Sequence, residues 1–394
     1  MGAYAKFIPL LLAAGLAASC GTDPGTVPDG AAVPVIDSLP AGSRLPRFAR
    51  SGDRLLLSYV LSDGAAGDRL FVRELGPTGW GSDRELARGT DWFVNWADFP
   101  SVRPLGDSLF YHYLAYSGAG TYDYDIRFGV GGGATGVLHT DGVAAEHGFL
   151  SSAALPSGDL RVTWLDGRRT KESSGAMTLR TAVVHPDGSV GEREELDERV
   201  CDCCNTATVA TEALTMVAYR DRSRAEVRDI SYVIRPRAGK WSAPRAVAAD
   251  GWTVTGCPVN GPALAANRSG QIAVAYYTAA GSGPSVRFAR YDAATDRFTE
   301  PLVLDAADPL GRLDIKLGDD GVAYVLGLAG GDDSVPVTLW KITDDGVVSE
   351  RVIGSVAGAR STGFPRLALL ADELWVAYTD TGADRILLHR LTAY

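Results

Sequence analysis

Cysteine is scarce in this sequence, with only five among 394 residues. After the first twenty positions, no apolar run approaches the ~20 residues that a membrane-spanning helix requires. Blocks of basic residues are also missing, and the formal net charge of −10 is spread along the chain. These absences argue against later spanning helices and against nucleic acid as a partner.

The first residues have the pattern of an export signal. Lys6 is the only charged residue before the apolar run "FIPLLLAAGLAA", and small residues precede Cys20. The segment resembles a bacterial lipoprotein signal, in which the cysteine becomes the lipidated first residue, although Ala17 occupies the usual leucine position. The resemblance implies a signal peptide over residues 1–19, lipidation of Cys20 and a Gly/Pro/Asp-rich tether over residues 20–33.

This resemblance also implies a location. We expect an exported lipoprotein of the bacterial cell envelope, in the periplasm or at the outer membrane, that touches the membrane only through its lipid anchor. An ordinary cleaved signal with an incidental cysteine is the alternative.

Seven short segments, rich in β-branched and aromatic residues, recur at intervals of about fifty residues. Each follows a turn, and no helical periodicity lies between them. A repeat of this length with several strand-like runs predicts an all-β β-propeller, one domain over residues 34–394 with seven four-stranded blades. A six-bladed sialidase-type ring, an eight-bladed ring and two stacked β-sandwiches are the alternatives. The segments begin at Leu55, Leu109, Leu160, Leu214, Ile272, Val322 and Leu374.

The seventh repeat lacks an outer strand. The N-terminal segment "AVPVIDSL" could supply it, so we expect the two ends of the chain to pair and close the ring. Such closure removes exposed sheet edges. We also expect a monomer.

Several polar residues share one position, about eleven residues before each repeated segment. In a propeller this position lies in the loop that leads into the innermost strand, and these loops open onto one face, here called the entrance face. The sequence predicts that they meet at one mouth of the central tunnel: Arg44, Asp98, His147, Cys203, Asn260, Arg312 and Gly363. Loops between second and third strands open onto the same face and add Tyr122, Asp123, Asp166, Arg168, Arg220, Asp221, Arg228 and Asp229. Any single Asp or Arg in this set could equally be a turn cap or a salt bridge.

The stretch "LPSGDLRVTW", residues 155–164, resembles a degenerate Asp-box, the hairpin signature of sialidase-type repeats, with Arg161 in place of its glycine. Longer runs, including "DWFVNWADFPS" and "RVCDCCNT", resemble bacterial exported exo-α-sialidase-like proteins with a CDCC motif. Sialidases clamp a substrate carboxylate with arginines and use a tyrosine–glutamate nucleophile with an aspartate acid.

The resemblance implies roles for residues of the entrance face. Asp98 would be the acid, and Tyr122 with Glu146 the nucleophile pair. Substrate contacts would come from Arg44, Asn95, Asp166, Arg168, Arg220, Asp221, Arg228 and Asn260. The Asp-box is single and degenerate, and no late Arg/Tyr pair follows, which puts sialic-acid hydrolysis itself in doubt.

Four of the five cysteines lie between Cys201 and Cys257, in an exported protein where clustered thiols rarely stay free. One interpretation is structural disulfides, with Cys201 or Cys203 bridged to Cys257 and the two remaining cysteines bridged to each other. The adjacent Cys203 and Cys204 could pair only through a strained ring. A second is a Cu(I) or Zn(II) site. A third is a redox-active thiol pair. The metal ligands would be Cys201, Cys203, Cys204, Cys257 and His147.

Two functions therefore stay open. The first is a sialidase-like propeller that binds or hydrolyses a glycan at the entrance face. The second is a non-catalytic binding module with a cysteine-rich metal site or disulfides. The sequence favours the first slightly, because acidic and cationic groups outnumber sulfur at the predicted pocket.

Overall fold

The computed structural model describes residues 1–2, 33–133, 135–331 and 334–393. The predicted signal peptide, Cys20 and the tether lie outside these residues, apart from the first two positions and residue 33. No helix within the described ranges has the length and apolar character needed to cross a bilayer.

The described chain forms seven antiparallel sheets, which confirms the predicted seven-bladed propeller. Blade 1 contains β2 (Ser43–Ser51), β3 (Arg54–Ser62), β4 (Asp68–Gly76), β5 (Gly79–Trp80) and β6 (Arg84–Gly89). Blade 2 contains β7 (Ser101–Leu105), β8 (Ser108–Tyr116), β9 (Tyr124–Val130) and β10 (Thr135–Val137). Blade 3 contains β11 (His147–Ala154), β12 (Leu160–Asp166), β13 (Thr178–Val184) and β14 (Val190–Asp197).

The remaining blades follow the same order from the tunnel outwards. Blade 4 contains β15 (Ala207–Ala210), β16 (Leu214–Arg220), β17 (Ile230–Pro236) and β18 (Arg245–Ala246). Blade 5 contains β19 (Ala263–Ala266), β20 (Ile272–Thr278), β21 (Ser285–Asp292), β22 (Arg297–Phe298) and β23 (Leu302–Asp305). Blade 6 contains β24 (Gly311–Leu317), β25 (Ala323–Leu328), β26 (Ser334–Ile342) and β27 (Val348–Ala357). Short 3-10 turns occur at Gly64–Ala66, Arg168–Lys171 and Arg360–Thr362.

Blade 7 joins the two ends of the chain, as the sequence predicts. It contains β28 (Arg366–Leu370), β29 (Glu373–Asp380), β30 (Arg385–Thr392) and, as its outer strand, β1 (Val35–Ser38). Val35 pairs with His389 and Ser38 with Leu387, and the imidazole of His389 lies 3.2 Å from the carbonyl oxygen of Val33. The ring is thus closed by hydrogen bonds between residues about 350 positions apart.

The core lies between neighbouring blades. The second strands β12 and β25 are buried along their whole length, because each sheet packs against a neighbour on both faces. Such strands read as continuous apolar runs, which explains why "LRVTWL" and its counterparts recur so clearly in the sequence.

A bulge recurs in several innermost strands. The antiparallel register shifts at the start of β2, β11 and β24, where Leu45, Phe149 and Arg312 have φ values of 58°, 55° and 54°. A bulge bends the strand and leaves a backbone amide unpaired by the sheet.

The preceding blade satisfies some of these amides. The Asp98 carboxylate accepts the Phe149 amide at 2.7 Å, and the Asn260 side-chain oxygen accepts the Arg312 amide at 2.8 Å. Asp98 and Asn260 thus share one structural role, that of joining one blade to the next at the entrance face.

Candidate functional site

The predicted entrance-loop residues lie at the beginnings of the innermost strands, at one end of the tunnel. Contacts run from blade to blade around this end. Asn205 donates to the Pro262 carbonyl at 3.2 Å, and Asn260 donates to the Leu310 carbonyl at 3.1 Å. Arg312 continues the series with a 3.2 Å bond to the Gly363 carbonyl. Equal steps along the sequence therefore become neighbours in space.

Three thiols form a compact cluster in the loop between blades 3 and 4. The Cys201 Sγ lies 3.9 Å from the Cys203 Sγ and 3.6 Å from the Cys204 Sγ, and Cys201 and Cys204 are buried. The loop is held by a 3.0 Å bond from the Cys201 amide to the Arg220 carbonyl. None of the four described cysteines is in a disulfide.

The distances in this cluster match those of a thiolate metal site. Zinc–thiolate bonds are about 2.3 Å long, so a tetrahedral site has sulfur–sulfur edges of about 3.8 Å. A disulfide would require about 2.05 Å. The geometry of Cys201, Cys203 and Cys204 therefore agrees with a thiolate metal site and not with a disulfide.

Cys257 comes from the loop before blade 5 and is more exposed. Its thiol interacts with that of Cys203, and it lies outside the group formed by the other three. It is placed where a fourth ligand could approach from solvent.

The charges around the cluster favour one ionised sulfur. Hydrogen bonds from Cys203 and Cys204 lower the pKa of Cys201. Arg228 adds to this effect, because its Nη1 lies 3.2 Å from the Cys201 Sγ. The hydrogen bonds that Cys203 donates raise its pKa, and burial raises the pKa of Cys204. The hydrogen bond from Cys203 lowers the pKa of Cys257 to about 7. A thiolate is the form of cysteine that binds metal.

A second constellation lies beside the thiols. The hydroxyl oxygen of Tyr124 is 3.0 Å from both an Asp98 oxygen and a Glu146 oxygen. Tyr124 and Asp98 are buried, whereas Glu146 is half-buried and is the most accessible member of the group.

Burial raises the pKa of both acids in this constellation. It raises that of Asp98 to about 7, against the hydrogen bonds from Phe149 and Tyr124. It raises that of Glu146 to about 8, and negative charge on Asp202 and Cys257 raises it further. Glu146 therefore holds a proton near neutral pH and shares one electrostatic environment with the cysteines.

The predicted pairing of Tyr122 with Glu146 needs a correction. Tyr122 lies in the loop before β9, is 58% exposed and packs edge-on against Phe93. Tyr124, two residues later at the start of β9, makes the bond to Glu146. A short parallel bridge between Tyr124 and Glu146 brings the two backbones together.

The predicted place of His147 among the cysteine ligands also needs a correction. Its Nε2 lies 3.1 Å from Asp141 and 3.7 Å from Asp166, and its ring stacks on His139 with centroids 3.6 Å apart. The rings are within 9° of parallel, so their in-plane lone pairs do not converge on one point. Arg168 already binds both carboxylates of this group, at 2.8 Å and 2.6 Å.

The other predicted substrate-binding residues make hydrogen bonds or ion pairs within the protein. Arg220 donates at 2.6–2.9 Å to the carbonyls of Asn260, Arg228 and Tyr277. Arg228 pairs with Glu226 at 2.7 Å, and Arg44 pairs with Asp384 at 2.9 Å. Each guanidinium thus has a structural role.

The predicted polar contacts follow the same pattern. Asn95 caps a turn by accepting the Ala97 amide at 2.8 Å. Asp221 accepts the Arg222 amide at 2.6 Å and the Ser231 hydroxyl at 3.1 Å. These residues shape the entrance loops. The carboxylate clamp that a sialidase requires would need Arg44, Arg220 and Arg228 to release their partners.

Comparisons with known proteins identify the fold. No protein-family model matches the chain, and no curated protein matches it. The polysaccharide lyase Uly1 superposes with a TM-score of 0.55 at 11% identity, over 90% of this chain and 90% of the lyase chain. The β-propeller domain of the Trilobed protease from Pyrococcus furiosus gives 0.50 at 11% identity, over 90% and 97%. An α-L-arabinanase from Penicillium chrysogenum, complexed with arabinobiose, gives 0.48 at 12% identity, over 77% and 95%. The shared property is the β-propeller fold, which by itself does not define a function.

Proposed function

We propose that this protein is an exported β-propeller that binds a soft metal ion, Cu(I) or Zn(II), at the entrance face. The observation that carries the proposal is the set of three free thiols with sulfur–sulfur distances of 3.6 and 3.9 Å. Thiolates are the preferred protein ligands for both ions. The ligands would be Cys201, Cys203 and Cys204, with Cys257 able to complete the set.

The surrounding charges suit such a site. Three thiolates around Zn(II) leave a net charge of −1, and three thiolates around Cu(I) leave a net charge of −2. Arg228 faces Cys201 with a guanidinium that is itself buried, so it can offset this charge. A second arginine, Arg222, binds Asp202 at 2.8 Å and keeps that carboxylate paired beside the cluster. Since Cys257 is exposed, the metal could enter or leave from that side.

Metal content tests the proposal. The full chain, purified from the cell envelope under anaerobic conditions, should hold about one copper or zinc ion, and Cys201→Ser should lose most of it. Asp141→Asn is the matched control, because it alters the histidine–carboxylate group and leaves the thiols untouched. Metal-free protein with all four cysteines in disulfides would refute the proposal. If Cys201→Ser retains the metal and Asp141→Asn loses it, the metal binds at the histidine–carboxylate group and not at the thiols.

A second candidate function is glycan binding or hydrolysis at the same face. The hydrogen-bonded group of Asp98, Tyr124 and Glu146 favours it, because Glu146 is a protonated, partly accessible acid. Glu146 would donate a proton to a leaving oxygen, and the buried Tyr124 and Asp98 would position it. The shared fold of a polysaccharide lyase is compatible with this role.

A glycan screen separates the two functions. Turnover or binding of an acidic glycan that disappears in Glu146→Gln, with metal content unchanged, would support the second function. The matched control is Glu172→Gln, an exposed acid for which the same substitution should have no effect. A broad screen in which the parent protein neither binds nor cleaves any glycan would count against it.

A further inference from the structure

The middle of the central tunnel carries an unusual excess of positive charge. Four cations project from the innermost strands of four consecutive blades, 6, 7, 1 and 2. Blades 7 and 1 meet where the ring closes. The four cations are Arg47 in β2, Arg103 in β7, Lys316 in β24 and Arg366 in β28. All four line both of two adjoining cavities, of about 110 Å³ on the entrance side and about 340 Å³ towards the opposite face.

The described acids of these cavities do not balance this charge. Asp314 faces the cations, and its Oδ1 lies 2.8 Å from Lys316 Nζ. Asp98 lines the entrance-side cavity, but its oxygens accept bonds from Phe149 and Tyr124. Four cations against the one carboxylate that pairs with them leave an excess of three positive charges. Arg50 adds a fifth cation to the larger cavity.

Lys316 donates to Asp314 at 2.8 Å and to the Ile315 carbonyl at 2.9 Å, whereas the three arginines have few hydrogen-bond acceptors. Arg103 has one 3.3 Å bond to the Ser152 hydroxyl. The guanidinium groups of Arg47 and Arg366 each lie 4.5 Å from the ring centroid of Phe99, a cation–π contact that leaves their N–H groups available. Arg366 is 6% exposed, and its Nη2 has no acceptor among the described residues.

Leaving such groups without an anion is costly. A buried donor without an acceptor costs about 1–3 kcal/mol, and more when it is charged. Burial, with repulsion from Arg103, lowers the pKa of Arg366 to about 10, and burial with repulsion from Arg366 lowers that of Arg47. These directions show that the cations disfavour one another's charge.

The rest of the wall suits a small oxyanion. Hydroxyl groups from blades 3 and 4 line the entrance-side cavity, where Ser151 lies 2.7 Å from both Thr206 and Thr208. A hydroxyl can donate to an anion as well as to its neighbour. A cavity needs only ~10–15 Å³ to hold one water, so about 110 Å³ admits an ion of several heavy atoms.

We propose that the central tunnel binds a small oxyanion with two or more negative charges, such as phosphate, sulfate or a dicarboxylate, held by Arg47, Arg103, Lys316 and Arg366. The anion neutralises the excess charge and supplies the acceptor that Arg366 lacks. The site joins blades 1, 2, 6 and 7, on both sides of the point where the ring closes. It is independent of the thiol cluster, which lies in the loops that lead into blades 4 and 5.

Calorimetry and thermal unfolding of the full chain test this site. Sodium phosphate, sulfate and malonate are added separately, with sodium chloride at equal ionic strength as the baseline. We expect one oxyanion to bind per chain and to raise Tm above the chloride value. Comparison of malonate with phosphate and sulfate shows whether the site prefers a dicarboxylate or a tetrahedral anion.

Two variants locate the binding. Arg366→Gln should weaken the preferred anion at least tenfold, and Arg103→Gln serves as a second variant if the first does not fold. Arg237→Gln is the matched control, since Arg237 is exposed, pairs with Glu212 at 2.9 Å and lines neither cavity. Cys201→Ser should bind the anion like the parent, which keeps this test separate from that of the metal.

The outcomes are distinct. If none of the three anions raises Tm beyond the chloride baseline, the proposal is wrong. It is also wrong if an anion binds with the same affinity to Arg366→Gln and Arg103→Gln as to the parent. Loss of binding in these variants with retention in Arg237→Gln supports it.

Discussion

Asp98 has two roles that substitution can separate. One oxygen accepts the Phe149 amide of the next blade at 2.7 Å, and the other meets the Tyr124 hydroxyl at 3.0 Å. Asn260 performs the first role at another blade junction with an amide oxygen. We therefore predict that Asp98→Asn keeps the blade junction, whereas Asp98→Ala loses it.

The magnitudes follow from burial. In Asp98→Ala the Phe149 amide, which is buried, has no acceptor, at a cost of about 1–3 kcal/mol. Tyr124 keeps its bond to Glu146. Asp98→Asn retains an acceptor of the same shape and should cost less than ~1 kcal/mol at low pH.

The pH dependence gives a sharper test. Because the folded-state pKa of Asp98 is raised from 3.8 to about 7, its protonated form is favoured in the folded state. That contribution is fully present below pH 4 and is lost as the pH rises through 7. Asparagine does not titrate, so the stability of Asp98→Asn relative to the parent should increase by about 2–3 kcal/mol between pH 5 and pH 8.

Equilibrium urea unfolding of parent, Asp98→Asn and Asp98→Ala at pH 5 and pH 8 measures these differences. Equal destabilisation by Asn and Ala at both pH values would refute the junction role. A difference between parent and Asp98→Asn that does not change with pH would refute the raised pKa.

Two further predictions concern the entrance loops. Arg220→Lys should lower the free energy of unfolding by about 2–4 kcal/mol, because lysine cannot reproduce the planar set of bonds to three backbone carbonyls; an unchanged urea midpoint would contradict this role. Gly261→Ala should destabilise the protein by about 3 kcal/mol or prevent folding, because a Cβ would lie 1.9 Å from the Asn205 carbonyl oxygen. Gly256→Ala, five residues earlier where the space is open, should leave Tm unchanged, and equal effects of the two changes would contradict the packing argument.

The fold was predictable because a propeller repeats one physical pattern. Buried second strands such as β12 give apolar runs, and their spacing gives the number of blades. The closing strand was predictable because the seventh repeat was one strand short. The position of Asp98 and Asn260 before their strands was predictable from the same spacing.

Side-chain direction was not predictable from spacing. Tyr122 and Tyr124 are two residues apart, and the strand boundary at Tyr124 decides which of them is buried against Glu146. His147 lies directly before the bulge of β11, is paired with Asp166, and its ring contacts Asp141. A bulge of one residue reverses the side on which a residue lies, and the sequence carries no clear mark of it.

The tunnel cations were missed for a related reason. Arg47 and Arg366 each lie three residues after a predicted entrance position, and Arg103 lies five residues after one. Their common direction towards the axis becomes visible only when the innermost strands are placed. The signal in the sequence would have been the recurrence of charged residues a few positions after each entrance position, on the innermost strands.

The central claim is that three thiols hold a metal ion, and X-ray absorption at the zinc edge tests it most directly. Zinc-loaded full-length protein should show three or four sulfur neighbours at about 2.3 Å, reduced in number by Cys203→Ser. A spectrum that contains only nitrogen or oxygen neighbours at about 2.0–2.2 Å would contradict the claim and place the ion elsewhere.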